Sequence, residues 1–91
     1  MVSKKVTITN LSGLHMGAAG KLCDEAIKYS DTSTKFIYRD NHEANAKSML
    51  SVLGASVTAG EEIEIMCDGP QEEEALYALV VLVENNFDED W

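Results

Sequence analysis

Apolar and polar side chains alternate at period two in the first and last of four short segments, and the two segments between them also have strand character, which predicts four strands. In the first of them, Val6 and Ile8 lie two positions apart and would share a buried face. In the fourth, Ile63 and Ile65 would point inward while the glutamates at positions 62 and 64 face solvent. A tight turn is expected between the second and third strands. The predicted strands cover residues 6–9, 34–39, 42–46 and 62–66.

Three other segments have helical spacing. Small and aliphatic residues three or four positions apart predict a first helix over residues 16–29. Residues 47–53 predict a short second helix that ends at Gly54. Asp68 is placed to cap a third helix, with Pro70 in its first turn and three glutamates next, near the positive end of the helix dipole. The apolar stripe of the first helix would consist of Ala19, Leu22, Cys23, Ala26 and Ile27.

The predicted order of elements is β-α-β-β-α-β-α. Strands and helices in these numbers favour a two-layer α+β domain, with a small sheet covered by helices on one face. A length of 91 residues allows one domain, over residues 1–91, and the sequence contains no internal repeat or linker. Residues 88–91 are expected to form a frayed, acidic end.

The net charge of the chain excludes some classes of binding partner. The chain has 7 basic and 16 acidic residues and a net charge of −9, which argues against nucleic acid and anionic membranes. Its longest apolar run, residues 78–83, is too short to cross a bilayer, and no apolar signal segment follows the first lysines, so a cytoplasmic location is expected. Cys23 and Cys67 have no metal-binding spacing and are expected to be small buried hydrophobic residues, with no metal or cofactor implied.

The most unusual local feature is a histidine directly before the first predicted helix. Ser12, Gly13, Leu14 and His15 are consecutive, and the free N–H groups of a helix start bind anions. A neutral imidazole nitrogen is nucleophilic near pH 7, so it is suited to carry a phosphoryl group in such a place. The alternative is that His15 only caps the helix, and spacing alone favours this alternative.

The second helix carries another candidate. Ser48 is well placed as its N-cap. Met49 and Leu50 are candidates for the core. If either residue instead faces solvent near His15, it would form an apolar docking patch.

Together these motifs resemble the HPr family, the histidine-containing phosphocarriers of the sugar phosphotransferase system. The family's site motif reads G-L-H-A-R-P-A, and residues 13–15 here are Gly-Leu-His, followed by Met16, Gly17, Ala18 and another alanine. The motif K-S-[IM]-[ML]-x-[VL] is matched by residues 47–52. The resemblance covers nearly the whole chain. It implies an open-faced β-sandwich, a four-stranded antiparallel sheet with three helices on one face.

The resemblance also implies a function. His15 would accept a phosphoryl group on Nδ1 from enzyme I, derived from phosphoenolpyruvate, and pass it to enzyme IIA components. The protein would be a carrier with a phosphohistidine intermediate rather than a stand-alone enzyme. For a chain of this size, a monomer is the default expectation. The surroundings of the phosphoryl group would be Ser12, Met16, Gly17 and Ala18.

By the same resemblance, Ser48 is the residue that a dedicated HPr kinase would phosphorylate, in a state read by a carbon catabolite regulator. Partners would dock on Met49 and Leu50, with Lys21 contributing charge.

Two departures from the family motif bear on function. The motif arginine is Gly17 here, and the motif proline is Ala18. A charge-assisted contact from arginine to a phosphoryl group is worth about 1.5–3 kcal/mol, so its loss is expected to slow transfer by an order of magnitude or more. Lys21 is one turn further on and would replace that charge only in part, because its ammonium is a flexible point charge.

Three functions therefore compete. The first is a working phosphocarrier with reduced or altered partner choice. The second is a regulatory binding module controlled through Ser48, and the third is an HPr-fold protein that only binds partners. Retention of His15 favours the first, whereas loss of the arginine favours the other two.

Overall fold

The computed structural model describes residues 1–88, so most of the predicted frayed end, Glu89, Asp90 and Trp91, lies outside the described residues. The elements follow the predicted order β-α-β-β-α-β-α, and a 3-10 turn follows the last helix. They are β1 (Val2–Thr7), α1 (Met16–Ala26), β2 (Ser33–Tyr38), β3 (His42–Asn45), α2 (Met49–Ala55), β4 (Glu62–Asp68), α3 (Glu72–Glu84) and the 3-10 turn (Asn86–Asp88).

The four strands form one antiparallel sheet in the order β1-β4-β2-β3. Because β4 lies between β1 and β2, Ile63 is opposite Val6 on one side and Ile65 is opposite Phe36 on the other. These side chains are buried on one face, which α1, α2 and α3 cover. The open-faced sandwich and the inward direction of the β4 isoleucines are therefore confirmed.

The first helix is shorter than predicted. It ends at Ala26, and the next N–H groups, those of Lys28 and Tyr29, bond three residues back, to Glu25 and Ala26. The prediction that Ile27 belongs to the buried stripe is wrong, because α1 ends one residue before it and its side chain is 53% exposed. The other four members of the stripe are buried, as predicted.

The boundaries of the other helices also differ from the prediction. Helix α2 continues through Gly54 to Ala55 and ends at Ser56, whose φ of 51° is left-handed. A glycine inside a helix weakens it but does not terminate it when the neighbouring turns are packed. The predicted cap at Asp68 is wrong, because that residue ends β4 and helix α3 begins only at Glu72.

The two cysteines lie in the interior of the protein. The side chains of Cys23 and Cys67 are both buried, as predicted, and burial raises the pKa of the Cys67 thiol to about 11. The Cys23 Sγ donates to the Lys47 carbonyl at 3.2 Å, which ties α1 to the residues just before α2. Among residues 1–88, no helix has the length and apolar character needed to span a membrane.

Candidate functional site

His15 is the N-cap of helix α1. Its backbone is extended, with φ −76° and ψ −179°, and its ring Nδ1 accepts a hydrogen bond from the Gly17 N–H at 3.1 Å. Its carbonyl accepts the first intrahelical bond, from Ala19 N–H at 2.8 Å. The expectation that His15 caps the helix is confirmed. Capping also gives the imidazole a fixed place at the helix start.

The bond to Gly17 determines which ring nitrogen holds the proton. A neutral imidazole has one N–H and one nitrogen with a free lone pair. Since Nδ1 accepts from Gly17, the neutral ring of His15 carries its proton on Nε2. Nδ1 is therefore the nucleophilic nitrogen, and it points toward a backbone N–H donor.

The start of α1 provides an electropositive setting for this nitrogen. Helix α1 has 11 residues, and its first turn contains no acidic side chain. The aligned peptide dipoles and the first N–H groups of such a helix favour a negative charge at its start. The acidic residues of this helix, Asp24 and Glu25, lie near its other end.

Gly17 allows the imidazole to lie where it does. A Cβ atom added at this position would be 2.7 Å from His15 Cε1 and 3.4 Å from Nδ1. Any larger residue would require the ring to move. From the sequence, Gly17 appears only as the loss of an arginine; the structure adds that it makes room for the ring directly over the first helical turn.

The other residues expected around a phosphoryl group differ in exposure. Ser12 is exposed, and the Met16 side chain is 70% exposed. The Ala18 side chain is buried in the core, so this residue has only its backbone to offer. Lys21 Nζ donates to the Phe87 carbonyl at 2.6 Å, which directs its ammonium to the 3-10 turn.

A second loop supports the residues before His15. Gly13 has a φ of 63°, and its carbonyl accepts from Asn10 Nδ2 at 2.7 Å. The Leu14 N–H donates to the Val57 carbonyl at 2.9 Å. A Cβ at Gly13 would be 2.6 Å from that carbonyl oxygen and 2.8 Å from Thr58 Cα. Residues 57–59 thus lie directly against the loop that carries the histidine.

An ion pair that no sequence pattern predicts holds this supporting loop. Arg39 Nε lies 3.0 Å from Glu61 Oε1. The Glu61 carboxylate also accepts from the Thr58 N–H at 2.6 Å and from its hydroxyl at 2.9 Å. The Thr58 N–H and then Arg39 lower the pKa of the Glu61 carboxyl below its ordinary value. The Glu61 carboxyl is therefore held in its ionised form, the form that accepts these hydrogen bonds.

A family model described as the PTS HPr component phosphorylation site matches residues 2–85. The chain therefore belongs to the HPr family. The phosphocarrier protein NPr of Escherichia coli is 38% identical over 98% of both chains. The crystal structure of HPr-C-His from Thermoanaerobacter tengcongensis, 33% identical, superposes with a TM-score of 0.93 over the full length of both chains. The catabolite repression protein Crh of Bacillus subtilis, solved as a domain-swapped dimer, is 28% identical, with a TM-score of 0.73 over 94% of this chain and 97% of Crh.

The HPr motif at residues 47–52 lies at the start of helix α2. Ser48 is its N-cap, as predicted, and the Ser48 Oγ accepts from the Ser51 N–H at 3.2 Å. Of the two candidates for an apolar docking patch, Leu50 is 84% exposed, whereas Met49 packs partly against the core. The bond from Cys23 to Lys47 places this segment against α1, the helix that His15 caps.

Proposed function

We propose that this HPr-family phosphocarrier takes a phosphoryl group from enzyme I on His15 Nδ1 and passes it to enzyme IIA proteins. The supporting observation is the 3.1 Å bond from the Gly17 N–H to Nδ1 at the start of α1. This bond leaves the nucleophilic lone pair on the nitrogen that is nearest to the helix's anion-binding N–H groups. The proposed place of action is the cytoplasm, with the protein as a monomer.

The transfer is a nucleophilic displacement at phosphorus. The Nδ1 lone pair forms the new bond to phosphorus while the bond from phosphorus to the donor breaks. The Gly17 N–H, which donates to Nδ1 in the free protein, is then released to donate to a phosphoryl oxygen. Nε2 keeps its proton throughout. Because the lone pair that attacks phosphorus is the one that accepts the Gly17 N–H in the free protein, the ring must turn away from this donor before the attack.

Gly17 also affects the rate and the choice of partner. Without the motif arginine, the transition state loses a charge-assisted contact of about 1.5–3 kcal/mol, equivalent to about one to two orders of magnitude in rate. The surface at the start of α1 is correspondingly less basic, and the exposed side chains of Met16 and, on α2, of Leu50 would make a larger share of a partner's contact. We therefore expect partners whose docking surface is less acidic than that of a typical HPr partner.

Incubation with enzyme I and phosphoenolpyruvate, followed by intact-mass spectrometry, tests the proposal. We expect the mass of one phosphoryl group to be added, to be lost in acid, and to map to the peptide that contains His15. An HPr protein with the motif arginine, labelled in parallel, is the control. If only that control gains a phosphoryl group, even at long incubation times, the result contradicts the proposal.

A second candidate function is a regulatory binding module controlled at Ser48. Two observations favour it: the match of residues 47–52 to the HPr regulatory motif, and the similarity to the catabolite repression protein Crh. A phosphoryl group on Ser48 would place nearly two negative charges at a helix start, where a catabolite regulator would recognise them. Incubation with an HPr kinase and ATP tests it, since a label that persists in Ser48→Ala would rule out this site.

We predict that Ser48→Ala lowers the free energy of unfolding by about 1 kcal/mol, because α2 loses the side-chain cap on the Ser51 N–H. Urea denaturation measures this change. Replacement of the exposed Ser30 by alanine is the control and is expected to have little effect. Equal stability of the two variants would show that the cap contributes nothing.

A further inference from the structure

Arg39 has a backbone conformation that is unusual for its residue type. It begins the three-residue turn between β2 and β3, with a φ of 42°. L-residues with long side chains rarely adopt this left-handed region, and such strain persists only where the surroundings impose it. Here the strained turn directs a guanidinium group across to the end of α2. Its Nη1 donates to the Ala55 carbonyl at 2.9 Å and its Nη2 to the Ser56 carbonyl at 2.6 Å.

The same guanidinium makes a two-point contact with Glu61, through Nε at 3.0 Å and Nη2 at 3.1 Å. Glu61 in turn fixes Thr58 by both its backbone N–H and its hydroxyl. Through these bonds Arg39 holds the beginning of the loop between α2 and β4, and Glu61, which ends this loop, holds its middle at Thr58. Both residues are distant in sequence from His15.

This loop is the surface on which the histidine-bearing loop rests. Its Val57 carbonyl accepts a hydrogen bond from the Leu14 N–H. Thr58 Cα lies so close to Gly13 that no side chain fits between them. His15 follows these two residues directly. A shift of residues 57–59 would therefore move the backbone that sets the position of the imidazole over Gly17.

From this chain of contacts we propose that Arg39 and Glu61 are positioning residues for His15, which hold the supporting loop so that Nδ1 stays at the start of α1. The inference rests on the proposed function of His15 as the phosphoryl acceptor. The two side chains are 47% and 24% exposed, and ion pairs at such exposure stabilise a fold only weakly. The bonds from Arg39 to the Ala55 and Ser56 carbonyls also contribute to stability, so the test needs a readout at His15 itself.

Two variants test the proposal, Glu61→Gln and Arg39→Asn. Glutamine keeps the shape of the side chain without the ion pair, and asparagine tolerates the left-handed turn without the guanidinium. For phosphorylation by enzyme I we expect kcat to fall about tenfold, with KM changed less than twofold, because small displacements of a reacting group slow the chemical step.

A second readout does not depend on phosphorylation. The ¹⁵N shifts of the His15 imidazole in the free protein report how fully the proton stays on Nε2. In both variants we expect the two ring nitrogens to become more alike, as the bond from Gly17 to Nδ1 loosens. Glu43→Gln is the matched control, because it breaks the 3.1 Å ion pair with Lys35 on the same hairpin, away from the supporting loop.

The outcomes separate the two proposals. Native kcat and native His15 shifts in both variants would overturn the positioning role, even if their melting temperatures fell. Altered shifts in Glu43→Gln would overturn it as well, since the effect would not be specific to the supporting loop. If the native protein takes no phosphoryl group while the shifts change as expected, the proposed function fails and the positioning of His15 stands.

Discussion

The His15→Asn protein is expected to accept no phosphoryl group from enzyme I and to unfold at nearly the temperature of the native protein. Asparagine is among the best N-cap residues, and its side-chain oxygen can accept the Gly17 N–H in place of Nδ1. It has no nucleophilic nitrogen, because its amide lone pair is delocalised. Intact-mass spectrometry and thermal unfolding by circular dichroism measure the two quantities on the same sample.

His42→Asn is the matched control, since it changes the other histidine, which stacks on Tyr38 with ring centroids 5.4 Å apart in the β2–β3 hairpin. It is expected to take up a phosphoryl group like the native protein. If the His15→Asn protein still gains the mass of a phosphoryl group, another residue is the acceptor. If neither variant gains the mass of a phosphoryl group, the assay reports something other than transfer to His15.

Gly13→Ala is expected to lower the free energy of unfolding by about 3 kcal/mol, the sum of a left-handed backbone and an overpacked contact. Alanine at a φ of 63° is strained by itself. Its Cβ would also lie 2.6 Å from the Val57 carbonyl oxygen and 2.8 Å from Thr58 Cα. Both neighbours are backbone atoms, so neither can rotate away as a side chain would. Urea denaturation at neutral pH measures the loss.

Gly60→Ala separates the two contributions. Gly60 also has a positive φ, 96°, but a Cβ there has no neighbouring atom within 4 Å among the described residues. Its replacement is expected to cost only about 1 kcal/mol, from the backbone alone. Equal losses in the two variants would contradict the close packing of Gly13 on the supporting loop.

The sequence predicts the order of elements well because most of the strands and helices show local periodicity, and the resemblance to HPr adds the sheet architecture. The alternation around Ile63 and Ile65 is confirmed by their burial, and four of the five stripe residues of α1 are buried. Errors occur at the ends of elements. Ile27 and Asp68 fit their patterns locally, but α1 ends before Ile27 and β4 extends by two residues, through Asp68.

The residues of the candidate site also differ in how well the sequence predicts them. The N-cap positions of His15 and Ser48 are predicted from the sequence because each residue lies directly before a helical pattern. The contributions of Arg39 and Glu61 are not, since these residues are 22 positions apart and meet only through the folded backbone. Gly17 is found as a departure from a motif, but its effect on the ring depends on a rotamer that sequence patterns do not specify.

The bond from the Leu14 N–H to the Val57 carbonyl has a consequence for biosynthesis. It joins parts of the chain that leave the ribosome far apart in time, and contacts of such long sequence separation form late because a large loop must close first. Until residues through Glu61 have emerged and folded, the imidazole lacks its support. We expect a nascent chain to be a poor phosphoryl acceptor, so that the phosphotransferase relay draws only on finished molecules.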